Sequence, residues 1–251
     1  MIVKAIIFDI NGTLIDINTD EGNEQIYRSI SHLLKYYGIR TSRGDVRDGY
    51  YQILKAQRRA GGEAFPEFDA VAVWREFLQT RLERSGVSLP KAKLAQLPHF
   101  LAELYRGISL NRLELYPEVR EVLEELRPRY RLAVLSDAQS VWAVPEMRMV
   151  GIEQYFYPIV VSGDLGYRKP DPRIFALALR RLHLPPEEVV FVGNDMYRDI
   201  YGARQAGLRT VFFATGQGQQ AMDGVEAHYN IYRFGELRNA IRFFEEQGRG
   251  D

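Results

Sequence analysis

The segment that most limits how this chain can fold is its first. Ile2-Val3-Lys4-Ala5-Ile6-Ile7-Phe8 is apolar on both alternating faces and stops abruptly at Asp9-Ile10-Asn11-Gly12-Thr13. A strand apolar on both faces belongs in a sheet covered on two sides, not at a solvated edge. Short apolar runs recur at residues 132–135, 159–161, 189–192 and 210–213, with helix-like stretches between them. Strands alternating with helices imply right-handed crossovers and a parallel sheet. The expected class is α/β: a doubly wound, Rossmann-like parallel core. Its helices are expected over 117–127 (opened by Pro117-Glu118-Val119), 172–182, 197–206 (closed by Gly207) and 234–247.

Between the first strand and Pro117 the pattern changes, and strand signals almost vanish. Ile26, Ile30, Leu33 and Leu34 fit one helix, and Tyr50, Ile53, Leu54 and Gln57 a second. Val73, Phe77, Leu78 and Leu82 fit a third, and Leu94, Leu97, Leu101 and Leu104 a fourth. The expected organisation is a core of residues 1–16 and 113–251, interrupted by a helical module over 17–112. Gly61-Gly62 and Gly86 supply its internal turns, and residues 16–22 and 107–116 are the two crossings.

With 33 Lys+Arg against 33 Asp+Glu, the chain offers no global electrostatic reason to bind nucleic acid or an anionic membrane. No apolar run approaches the length of a membrane span. The absence of cysteine removes disulfides, thiolate metal sites and cysteine nucleophiles. No leader pattern opens the sequence, and the expected compartment is the cytoplasm. Composition does not separate a monomer from a homodimer.

Four pieces carry the chemistry, each where a core strand is expected to end. In open α/β sheets that is where ligands bind, so the four converge on one crevice. Asp9 and Asn11 lie two apart at the end of the first strand and point the same way. Leu135-Ser136-Asp137 places a hydroxyl where it can bond an anionic oxygen together with neighbouring backbone amides. In Tyr167-Arg168-Lys169-Pro170 the lysine stands out. From residue 94 onward the chain uses 18 arginines and this one lysine, a compact point charge suited to a phosphate or carboxylate. In Gly193-Asn194-Asp195-Met196-Tyr197-Arg198-Asp199, two carboxylates four apart open a helix and offer hard oxygen ligands to magnesium. Taken singly, these pieces also read as a loop start, a helix cap, a solvated charge and an acidic first turn.

Together and in this order, the four pieces resemble the motifs of the haloacid dehalogenase superfamily of phosphohydrolases. The resemblance covers about residues 1–16 and 113–251, and the helical module resembles the family's cap inserted after the first strand. It implies a magnesium-dependent phosphohydrolase acting on a small phosphorylated metabolite through an aspartyl-phosphate. In that scheme Asp9 is nucleophile and metal ligand. Ser136, Asp137 and Lys169 meet the substrate, Thr13 supports the loop, and residue 11 gives its backbone carbonyl to the metal.

Two departures follow from the same resemblance. The family's phosphatases carry an aspartate where this chain has Asn11. An amide neither protonates a leaving group nor activates water, so turnover is expected to be slow. Acyl phosphates, whose leaving group needs little protonation, suit that limit. In the fourth piece the longer family spacing from Asp199 selects Asn194 as first metal position, the shorter one Asp195. Asp195 is preferred because a carboxylate binds magnesium better than an amide. The alternative to an enzyme is a phosphate- and metal-binding protein in which Asn11 suppresses turnover. Haloacid-cleaving members carry a bulky aromatic in place of Asn11, and phosphonate-cleaving members need a cap lysine, for which Lys35, Lys55, Lys91 and Lys93 qualify by type. Asn11-Gly12 is also a sequence prone to deamidation to aspartate. Finally, residues 216–220, Gly-Gln-Gly-Gln-Gln, read as a flexible connection.

Overall fold

The computed structural model describes residues 2–247; Met1 and residues 248–251 of the expected core lie outside them. Strands β1 (Ala5–Phe8), β4 (Arg131–Ser136), β5 (Ile159–Val161), β6 (Val189–Gly193), β7 (Arg209–Phe213) and β8 (Tyr229–Ile231) form one sheet in the order β5-β4-β1-β6-β7-β8. Every pairing in it is parallel.

Alternate side chains of each central strand enter different cores, which is why these runs are apolar throughout. Ile6, Phe8, Val134, Val190 and Val192 face α5 (Val119–Leu126), α6 (Ser140–Met149) and α9 (Leu237–Gln247). Ala5, Ile7, Ala133, Leu135 and Phe191 face α7 (Pro172–Leu182) and α8 (Gly202–Gln205). The chain builds outward from β1 to β4 and β5, then returns to the opposite side of β1 as β6. That reversal makes the carboxyl end of β1 a topological switch point.

The expected core helices are all present, with local differences. Residues 197–206 are a π-helical turn, Met196–Tyr201, followed by α8, and the last helix opens with a 3-10 turn, Phe234–Glu236. Strand β8 was not anticipated, because its three residues are too few to show a period. The two crossings are also structured. β2 (Ile15–Thr19) pairs antiparallel with β3 (Leu110–Leu115), so the expected boundaries at 16/17 and 112/113 fall inside a hydrogen-bonded ribbon.

Between β2 and β3 lie α1 (Glu24–Tyr36), α2 (Arg43–Ala60), α3 (Ala70–Ser85) and α4 (Lys91–Ser109). They bury a core of their own, centred on Tyr50, whose ring stacks 4.8 Å from both Trp74 and Tyr105. Trp142 of α6 joins it, stacking on Tyr105 and donating its indole N–H to the Ala102 carbonyl at 2.9 Å. No described helix is long and apolar enough to cross a membrane.

Candidate active site

The loop after β1 is a tight turn closed by its own backbone: Leu14 and Ile15 N–H both donate to the Ile10 carbonyl, and Gly12 N–H donates to Ile15. Gly12 sits at φ +83°, and a side chain there would land on the Asn194 amide. Glycine is required at this position twice over, by backbone conformation and by space. The turn presents Asp9 at the switch point.

Asp9 after β1, Ser136 at the end of β4 and Lys169 from the loop before α7 meet there. The Ser136 hydroxyl donates to Asp9 Oδ1 at 2.7 Å, and Lys169 Nζ lies 2.9 Å from the same oxygen. Lys169 is 2% exposed and also pairs with Asp199 Oδ1 at 2.5 Å. Burial works against its charge, but the carboxylates of Asp199, Asp9 and Asp137 hold the ammonium above its ordinary value. This explains the isolated lysine: a compact ammonium fits between two buried carboxylates where a planar guanidinium would not.

The fourth piece divides its residues differently from expectation. Asn194, not Asp195, faces the Asp9 loop: its Oδ1 accepts from the Thr13 hydroxyl at 3.1 Å, and its Nδ2 donates to the Gln217 carbonyl at 3.0 Å. The Asp195 carboxylate caps the π-helical turn. Oδ1 accepts from Tyr197 N–H (3.0 Å) and Arg198 N–H (2.7 Å), and Oδ2 accepts from the Arg198 guanidinium and from Gln219 N–H at 3.0 Å. Burial tends to raise its carboxyl, but those backbone and arginine donors carry it below the ordinary value. Asp199 is turned inward, with Oδ2 accepting the backbone N–H groups of Asn194 and Asp195, both at 3.0 Å. Burial pushes its carboxyl up to about 7, against the pull of Lys169.

Residues 216–220 are part of this architecture. Gln217 and Gln219 brace Asn194 and Asp195, Met196 N–H donates to Gln219, and Gln217 Nε2 reaches Asp16 on β2 at 2.8 Å. Its glycine and glutamine composition gave no sign of that role.

Above the switch point a cavity of about 470 Å³ opens between the core and α1–α4. Asn11, Asp137, Arg168 and Trp142 line it from the core, Tyr50, Tyr51, Lys55, Arg58 and Arg106 from α2 and α4, and Phe68 from the connection between α2 and α3. Of the four lysines singled out in the helical module, Lys55 alone is among these lining residues. Tyr50 and Trp74 are core residues of the module, and Tyr50 and Phe68 serve the cavity as well. Arg58 and Arg106 are neutralised by Glu67 and Glu146.

The haloacid dehalogenase-like hydrolase model matches residues 3–207. This chain belongs to that family. A glyceraldehyde 3-phosphate phosphatase from Methanopyrus kandleri is 28% identical over 264 residues, spanning 96% of this chain and 97% of that protein. A second, from Pyrococcus furiosus, is 25% identical over 253 residues, spanning 99% and 96%. Among solved structures, a 2-haloacid dehalogenase from Pseudomonas syringae pv. Tomato DC3000 superposes with a TM-score of 0.74 at 22% identity, covering 97% of this chain and all of that one. At that identity the likeness concerns the fold.

The family implies a divalent metal, and the donors here are of mixed type. Among the described residues no three His, Cys, Asp or Glu side chains cluster to hold one, since Asp195 and Asp199 are engaged elsewhere. The other oxygens around the switch point are the second oxygen of Asp9, which takes no hydrogen bond from a described residue, the Asn194 amide oxygen, which accepts from Thr13, and Asn11 Oδ1, which is buried without a hydrogen-bond partner among the described residues. One carboxylate with amide oxygens and water is a set magnesium accepts, since it binds through one or two carboxylates and keeps several waters. The residues fit the ion, with less charge than an all-carboxylate site.

Proposed function

We propose that this haloacid dehalogenase-like hydrolase cleaves the phosphate ester or acyl phosphate of a small metabolite, with Asp9 attacking phosphorus to form an aspartyl-phosphate. The observation that carries this is the asymmetry of Asp9. Ser136 and Lys169 fix one oxygen, and the other takes no hydrogen bond from any described residue, at the switch point. A carboxylate so oriented is a positioned nucleophile. Lys169, charged and buried, reduces repulsion between Asp9 and an anionic substrate, and Ser136 offers its hydroxyl to a nonbridging oxygen. Mg2+ held by Asp9, residue 11 and Asn194 would neutralise charge on the phosphoryl group. The similarity to curated phosphatases of glyceraldehyde 3-phosphate and, from Thermus thermophilus, phosphoserine supports a small phosphorylated substrate, and the cavity volume suits one. The cytoplasm is where such metabolites are met.

Asn11 favours a second reading, a phosphate- and metal-binding protein with suppressed turnover. Phosphate release from acetyl phosphate and para-nitrophenyl phosphate with Mg2+, by wild type, Asp9→Asn and Asn11→Asp, separates the two. Turnover by wild type that disappears in Asp9→Asn is expected. Inert wild type beside active Asn11→Asp would establish the binding reading instead.

A further inference from the structure

The cavity wall carries four cations, Lys55, Arg58, Arg106 and Arg168, and the protein supplies a carboxylate to only two of them. Arg58 Nη2 lies 3.3 Å from Glu67 Oε1, and Arg106 Nε and Nη2 lie 2.5 and 3.3 Å from the two oxygens of Glu146. Arg168 and Lys55 make no side-chain hydrogen bond or ion pair with any described residue. Of the carboxylates on the same wall, Asp137 has Arg198 at 3.8 Å, and Glu21 alone is unpaired. Two unpaired cations against one unpaired carboxylate leave the cavity with an excess of positive charge.

Arg168 is the better placed of the two cations. It is half-buried, whereas Lys55 is exposed. Its backbone is held on both sides, its N–H donating to the Phe65 carbonyl and its carbonyl accepting from Asp171 N–H, both at 3.0 Å. The next residue is Lys169, whose N–H donates to Asp137 at 2.9 Å and whose Nζ lies 2.9 Å from Asp9. Adjacent Cα atoms are about 3.8 Å apart, so the turn that sends Lys169 to Asp9 also presents Arg168 on the cavity wall. A guanidinium on a fixed backbone, partly withdrawn from water and without a carboxylate of its own, is suited to the oxygens of a bound anion.

We propose that Arg168 determines specificity by binding a second anionic group, a carboxylate or a second phosphate, on the alcohol portion of the phosphate ester. Lys55 adds charge of the same sign from α2. The substrate class is phosphorylated organic acids and bisphosphates, in preference to neutral polyol and sugar phosphates. Turnover of such a substrate rests on the phosphohydrolase reading above; its recognition does not.

The test compares matched esters that differ in the second anion: 3-phosphoglycerate against glycerol 3-phosphate for a carboxylate, and fructose 1,6-bisphosphate against fructose 6-phosphate for a phosphate. In wild type, kcat/KM for the anionic member of at least one pair is expected to be about ten- to a hundredfold the higher, the scale of a charge-assisted hydrogen bond. The pair that shows it identifies the anion. In Arg168→Gln the ratio should fall to near one, through a raised KM for the anionic ester, and Arg168→Lys should restore part of it. A ratio near one for both pairs in wild type, or a ratio unchanged in Arg168→Gln, would overturn the assignment. Should Arg168→Gln not fold, the wild-type ratio and its reduction in Lys55→Gln decide. If wild type hydrolyses none of these esters and no acetyl phosphate, the phosphohydrolase reading fails. Calorimetric Kd values for the same pairs then decide recognition separately: a preference for the anionic member that is lost in Arg168→Gln supports it, and equal affinities overturn it.

Discussion

Asn194 and Asp195 are adjacent, differ by one functional group, and have opposite fates. A preference for carboxylate over amide selects Asp195 for the metal, and side-chain chemistry alone offers no reason to choose otherwise. Direction separates them in the structure: the residue directly after Gly193 of β6 bonds Thr13 of the Asp9 loop, and the next one turns back to cap its own helical turn. Asn194→Asp is accordingly expected to tighten Mg2+ binding by about tenfold or more in titration calorimetry, since it adds a second carboxylate to the donor set. Asp195→Ala should instead appear in denaturant unfolding, as a loss of about 1–2 kcal/mol for a removed cap. Asn11 is protected by the same close packing. The Gly12 nitrogen that would attack its side chain donates to the Ile15 carbonyl at 2.8 Å, so peptide mass spectrometry of aged protein should find residue 11 still asparagine. That hydrogen bond is the reason the dipeptide's usual instability does not carry over.

At the scale of elements, the amphipathic helices and the doubly apolar strands were legible because burial imposes their period directly. The β2–β3 ribbon was less so. Ile15 and Ile17 alternate with Asp16 and Asn18, and Leu113 and Leu115 flank Glu114, but a few alternating residues beside a long helical stretch read as connection. The parts of the site set by strand ends were legible for the same reason as the strands. Those set by loops, such as the bracing by Gln217 and Gln219, carry no period to read. Caps remain readable, and one offers a measurement. Ser42 and Asp45 form a capping box on α2, in which Asp45 N–H donates to the Ser42 hydroxyl at 3.1 Å and Ser42 N–H to the Asp45 carboxylate at 2.9 Å. Ser42→Ala should cost about 1 kcal/mol in denaturant unfolding. Hydrogen bonds from the Ser42 side chain and backbone hold the Asp45 carboxyl below its ordinary value. Its stabilisation is therefore complete above the unfolded-state value, near neutral pH, and is lost as pH falls through the lower folded-state value. The difference between wild type and Ser42→Ala should shrink on acidification.

Across the whole molecule, the helices are fastened over the crevice by polar contacts of high specificity. Residues 65–68 pair with 166–168 as a short antiparallel bridge, Glu67 N–H donating to the Gly166 carbonyl and Arg168 N–H to Phe65. The buried Glu67 carboxylate accepts from the Ser162 hydroxyl at 2.9 Å, and Gln139 joins the Phe68 carbonyl to the Ala70 N–H. Gln139→Ala should loosen this seam, seen as faster amide exchange over residues 66–70 and a raised KM. The ribbon below the seam has a different consequence. The chain leaves the sheet along β2 and returns along β3 beside it, with Thr19 opposite Leu110. Everything between those two residues hangs from the tip of a hairpin. A stretch joined to its host at so narrow a stem can be exchanged for another of unrelated sequence, or trimmed to a tight turn, without re-registering a single strand of the sheet. Descent can therefore rewrite what this protein selects by transplanting one piece, while the strand ends and the loop that gather Asp9, Ser136 and Lys169 stay as they are.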